Sequence, residues 1–97
     1  DVDVILVDCL TLWVSNIMFH GSDSQGVFKK VEQLTRVLKK AACPVIMVSN
    51  EVGSGIVPEN ALARKFRDMA GFVNQRVAAA SDVVTLVVAG IPMNIKS

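Results

Sequence analysis

Three short, mostly aliphatic runs, Val4–Val7, Val45–Ser49 and Val83–Ala89, alternate with long stretches of helical periodicity, and this alternation most constrains the fold. The first strand is expected over Val2–Val7, ending at Asp8, and a helix over Leu10–Phe19. From Ser24 to Ala42, Val27, Val31, Leu34, Leu38 and Ala41 recur at three- and four-residue steps, the stripe of an amphipathic helix. Cys43-Pro44 closes that helix and the second strand follows. A third helix is expected over Pro58–Ala80. At ~100° per residue its apolar face holds Leu62, Phe66, Met69, Val73, Val77 and Ala80. The opposite face carries Asn60, Arg64, Arg67, Asp68, Gly71 and Gln75. Gly90-Ile91-Pro92 reads as a turn and Met93–Lys96 as a short last strand. Strands alternating with helices predict an α/β fold with a mainly parallel sheet and flanking helices. In such sheets ligands sit outside the carboxyl ends of the strands, where Asp8, Asn50-Glu51 and Gly90 fall.

The segment Val48–Asn60, VSNEVGSGIVPEN, joins the second strand to the third helix. Its polar pair Asn50-Glu51 is followed by Gly53, Gly55 and Pro58. Glycine lets backbone approach a ligand closely, and proline fixes one side of a turn. A loop of this length and composition reads as a site.

Hydrophobic residues make up 52% of the 97 residues, and mean hydropathy is +0.46. Three strands and their helices cannot readily cover both faces of so apolar a parallel sheet. The chain also starts at Asp1 almost directly on a strand. The expectation is a part of a longer chain, or an oligomer. With 10 Lys+Arg against 9 Asp+Glu, the net charge is +1, unlike a nonspecific nucleic-acid binder. The basic cluster Lys29, Lys30, Arg36, Lys39 and Lys40 reads as the solvated face of the second helix. Cys9 and Cys43 lack metal-ligand spacing and read as buried free thiols of a cytoplasmic protein. No apolar run reaches the ~20 residues of a membrane-spanning helix.

Asp8, closing the run Val4-Ile5-Leu6-Val7, has two readings. It is the acid that holds Mg2+ or a nucleotide beside a phosphate-binding loop, or the cap of the next helix. Glu51 is a base, a ligand of a metal-bound water or a partner for substrate, or else a salt-bridge partner of Arg64 or Arg67. Both arginines suit bidentate phosphate binding or a subunit contact. His20, the sole histidine, reads as a helix-end residue.

Four blocks in order resemble one known family: VDCLTLWVSN (Val7–Asn16), VSNEVGSGIVPEN (Val48–Asn60), ARKFRDMAGFVNQRVA (Ala63–Ala78) and VAGIPMNIK (Val88–Lys96). The family is the bifunctional adenosylcobinamide kinase / adenosylcobinamide-phosphate guanylyltransferase of cobalamin biosynthesis, and the resemblance covers essentially the whole chain. It implies a P-loop nucleotide-binding domain of the RecA-like class, usually a homotrimer. These enzymes phosphorylate adenosylcobinamide with ATP or GTP, then transfer GMP from GTP through a guanylylated histidine, with Mg2+ accompanying the nucleotide.

By this resemblance Asp8 matches the position that contacts the guanine nucleotide, with Mg2+ as its other possible ligand. Asn50 and Glu51 match a block placed for substrate or nucleotide contact, and Arg64 and Arg67 are further candidates. The family's P-loop and its guanylylated histidine lie upstream of the block that opens this chain. The 97 residues therefore read as the carboxyl-terminal portion of one domain, incomplete, with no catalytic residue of their own; His20 follows Asp8 and does not take the missing histidine's role. Two other readings stand beside this one. The first is a noncatalytic oligomerisation or cobinamide-binding module. The second is a RecA-class ATPase acting on nucleic acid, which the near-zero charge disfavours.

Overall fold

In a computed structural model, residues 3–21, 24–51 and 60–97 are described. The elements run β1 (Ile5–Asp8), α1 (Leu10–Phe19), α2 (Ser24–Lys39), β2 (Val45–Val48), α3 (Ala61–Ala80), β3 (Val84–Val88) and β4 (Ile91–Lys96). The α/β class and the element order follow the sequence, but the single mainly parallel sheet does not. Among the described residues two two-stranded sheets form instead. β1 and β2 pair in parallel, with Ile5 opposite Val45 and Asp8 opposite Val48. β3 turns back on β4 in an antiparallel hairpin, with an irregularity between Val84 and Thr85.

The hairpin corrects the expected turn. Its two-residue loop is Ala89-Gly90, with φ of 52° and 76°. Positive φ at both positions matches the right-handed twist of the flanking strands. Pro92 lies inside β4, opposite Val87, a place proline takes without disrupting a sheet only on an edge strand.

The core lies among the three helices. Leu10, Val14 and Ile17 of α1, Val27 and Val31 of α2, and Val73 and Val77 of α3 form one buried cluster. Trp13, Leu34, Met47, Phe66, Met69 and Phe72 pack around it. Val27 and Val31 of the expected α2 stripe are buried and Leu34 packs against them, whereas α2 ends at Lys39 and Ala41 beyond it is exposed. On α3, Val73 and Val77 are buried as expected, whereas Leu62 in the first turn is 61% exposed. Phe28 and Phe72 join α2 to α3 with ring centroids 4.5 Å apart. Arg76 lies over the Phe72 ring at 5.1 Å and reaches Glu32 at 3.9 Å. The five basic residues at 29, 30, 36, 39 and 40 are all exposed, as a solvated face requires.

Both ends of α3 are satisfied by side chains. Asn60 Oδ1 accepts from the backbone N–H of Leu62 at 2.8 Å and of Ala63 at 3.2 Å, the standard N-cap arrangement. Asn60→Ala is expected to lower stability by about 1 kcal/mol, read as a lower urea midpoint at unchanged slope. At the other end, Ser81 Oγ donates to the Val77 carbonyl. Lys96 Nζ, arriving from β4, donates to the carbonyls of Ala78 at 2.9 Å and Ala79 at 3.0 Å. A cation placed there also meets the negative end of the helix dipole.

The strand faces turned away from the helices are bare. Leu6 is 64% exposed, Ile46 55% and Val87 62%, although strands this apolar are ordinarily covered on both faces.

Candidate functional site

β1 delivers Asp8 to the carboxyl end of the parallel pair, where it is exposed beside Val48. The capping alternative fails. Cys9, not Asp8, occupies the N-cap position of α1, and no side chain makes a capping bond there. Cys9 and Cys43 are free but only half-buried, against the expectation of buried thiols. The Cys9 sulfur and the Thr11 hydroxyl share a 2.8 Å hydrogen bond. This bond holds the Cys9 thiol below its ordinary pKa, because it stabilises the thiolate.

β2 places Ser49, Asn50 and Glu51 at the same end of the pair. Asn74 of α3 fixes their backbone. Its Oδ1 accepts from Ser49 Oγ at 2.6 Å, and its Nδ2 donates to the Asn50 carbonyl at 3.1 Å. One amide therefore spans the strand end and a helix 24 residues away in sequence. The sequence places Asn74 in the block Ala63–Ala78 without assigning it a role. In the structure it holds the Asn50 carbonyl, and the only signal for this was its place in that block.

Ser49, Glu51, Gly71, Asn74 and Gln75 line one cleft. A β-carbon at Gly71 would meet nothing within 4 Å, so the space beside it is open. Arg64 and Arg67, in the first two turns of α3, do not line this cleft. Asp8, Asn50 and Glu51 thus stand at one sheet end, but of the three only Glu51 lines the cleft, and neither arginine does. The glycine-rich part of the loop, residues 52–59, lies outside the described residues. His20 is the C-cap of α1, its Nδ1–H donating to the Asn16 carbonyl at 2.7 Å, as a helix-end residue should.

Among the described residues no group of three His, Cys, Asp or Glu side chains converges on a metal position, and no helix is long and apolar enough to cross a membrane. Residues 1–95 match the family model described as cobinamide kinase / cobinamide phosphate guanyltransferase. The chain belongs to this family. It is 42% identical over 106 residues to the bifunctional adenosylcobalamin biosynthesis protein CobU of Salmonella typhimurium, covering 97% of this chain and 59% of that protein. The Escherichia coli CobU protein gives the same identity and coverage. The Pseudomonas aeruginosa protein CobP is 41% identical over 92 residues, covering 95% of this chain and 53% of its own. The chain spans between about half and three-fifths of the length of these curated relatives.

Proposed function

We propose that the protein to which these residues belong acts in cobalamin biosynthesis in two steps. It phosphorylates adenosylcobinamide with ATP or GTP, then transfers GMP from GTP to adenosylcobinamide phosphate, giving adenosylcobinamide-GDP. The observation that carries this reading is the family match over residues 1–95, joined to relatives that are themselves named as bifunctional. In this reading the 97 residues are the carboxyl-terminal portion of a P-loop nucleotide-binding domain of a cytoplasmic homotrimer.

The residues present would form one wall of the site. Asp8, exposed at the strand end, contacts the guanine nucleotide or holds Mg2+. A single carboxylate fits that ion, which is commonly bound by one or two carboxylates together with substrate phosphates. Bound there, Mg2+ would neutralise phosphate charge. Asn50 and Glu51 face substrate, with Asn74 fixing the backbone of Asn50. Arg64 and Arg67, which do not line the cleft, would bind phosphate or meet a neighbouring subunit. No residue here is assigned as catalytic. Phosphoryl transfer depends on a cradle of backbone amides and a lysine, and guanylyl transfer on the histidine nucleophile. The isolated 97 residues are therefore expected to be inactive.

The test supplies adenosylcobinamide and labelled GTP to the longer natural protein and to the 97 residues. The longer protein is expected to yield adenosylcobinamide-GDP and a GMP-labelled protein band, and the 97 residues neither. Product absent from the longer protein would sink the function, and labelling of the 97 residues would sink their inactivity. The bare strand faces at Leu6, Ile46 and Val87 favour a second reading, a noncatalytic oligomerisation or cobinamide-binding module. Cobinamide binding without turnover by the longer protein would support it.

A further inference from the structure

Half of the chain's ten Lys and Arg residues lie between residues 24 and 42, and only one of its nine acids, Glu32, lies with them. Outside that span five cations stand against eight anions, so the near-neutral chain is made of two oppositely charged parts. Lys29, Lys30, Arg36, Lys39 and Lys40 are all exposed. Glu32 lies 3.9 Å from Arg76 of α3, which offsets the one negative charge on α2.

The fold decides which way these charges point. Val27 and Val31 are fully buried and turn one side of α2 into the core. At ~100° per residue, Lys29, Arg36 and Lys40 fall within ~40° of one another, ~180° from the midpoint of those two valines. Lys40 continues the last turn, its N–H donating to the Val37 carbonyl at 3.1 Å. The three cations therefore line the outward crest over about 16 Å of helix, with Lys30 and Lys39 on its flanks. Beside the crest, Phe28, Lys29, Glu32, Gln33 and Arg36 border a shallow depression. A phosphate there would meet both Lys29 and Arg36.

We propose that the crest of α2 docks the protein peripherally on an anionic lipid surface, with lipid phosphates against Lys29, Arg36 and Lys40. A basic helix face is the chemistry that recognises an anionic leaflet, and a straight ridge of cations meets a plane along its whole length. A protein partner would need buried aromatic or aliphatic anchors, and a single-stranded nucleic acid would need aromatic stacking platforms. Lys29, Gln33, Arg36 and Lys40 supply neither. The contact stays at the headgroups. The apolar stripe of α2 is committed to the core, and no helix among the described residues is long and apolar enough to cross a membrane. The proposal does not rest on cobinamide chemistry, so vesicle binding and turnover fail in different assays.

Each Lys or Arg near an anionic leaflet is worth about five-fold in partition. The experiment sediments the longer natural protein with phosphatidylcholine vesicles, with and without phosphatidylglycerol. Binding at least ~10-fold tighter to the anionic vesicles is expected, and its loss at ~1 M salt, where the Debye length is ~3 Å. The triple variant Lys29→Gln/Arg36→Gln/Lys40→Gln should bind roughly 100-fold more weakly. Lys40→Gln alone should lose about five-fold, and Lys65→Gln, the same charge change on α3, less than about two-fold. This pair of single variants decides the matter even where the triple variant loses its cooperative melt. Equal losses in the two single variants, or no preference for anionic vesicles, would overturn the proposal. So would tighter retention by polyglutamate or single-stranded DNA, which would give the crest to a peptide or a nucleic acid.

Discussion

Val31→Asp is expected to abolish the cooperative thermal unfolding transition of the chain. Val31 is fully buried within the cluster that joins α1, α2 and α3. A carboxylate there would lose its hydration without a partner, and even its neutral form would bury unpaired polar atoms, at a cost of several kcal/mol. Total stability of a small domain is only about 5–15 kcal/mol, so the helical layer should come apart. Val31→Thr, nearly the same shape with one hydroxyl, should cost about 1–3 kcal/mol and keep a cooperative melt. An aspartate variant that melts cooperatively within about 1 kcal/mol of the parent would show that α2 is not held through this residue.

Asn74→Leu, made in the longer natural protein, is expected to lower kcat/KM by roughly 100-fold, the scale on which a misplaced site residue acts. The substitution keeps the helix and approximate volume but removes both the acceptor for Ser49 and the donor to the Asn50 carbonyl. The strand end carrying Asn50 and Glu51 would lose its tie to α3. Asn74→Asp retains the acceptor for Ser49 alone and should fall between the two. A loss that Asn74→Asp does not relieve, accompanied by a lower melting temperature, would reduce Asn74 to a packing residue. Full activity in Asn74→Leu would remove this end of β2 from the site.

The helices were legible because each must hide one stripe. Val27 and Val31 recur at helical spacing and both are buried. The sheet was less so. An aliphatic run such as Val83–Ala89 declares a strand but not its partner, and it pairs with β4 rather than with β1 or β2. The turn was misplaced because Pro92 is a strong breaker by composition, whereas the residues that turn the chain are Gly90 and an alanine at φ 52°, a conformation that alanine rarely takes. In the candidate site, Asp8, Asn50 and Glu51 were legible as residues at strand ends. The amide that fixes Asn50 was not, since it acts across 24 residues of sequence. Arg64 and Arg67 shared a helix face with Gly71 on paper, yet only Gly71 reaches the cleft.

Asn74 and the carbonyl of Ala78 stand one helical turn apart on α3. The first grips the end of β2, and the second, with Ala79, receives Lys96 from β4. Four residues at ~1.5 Å rise amount to ~6 Å along the axis. The helix therefore works as a ruler, and its two marks set how far apart the sheets are held. A single residue inserted between them would turn one mark by ~100° against the other, changing the gauge of the gap while leaving every strand intact.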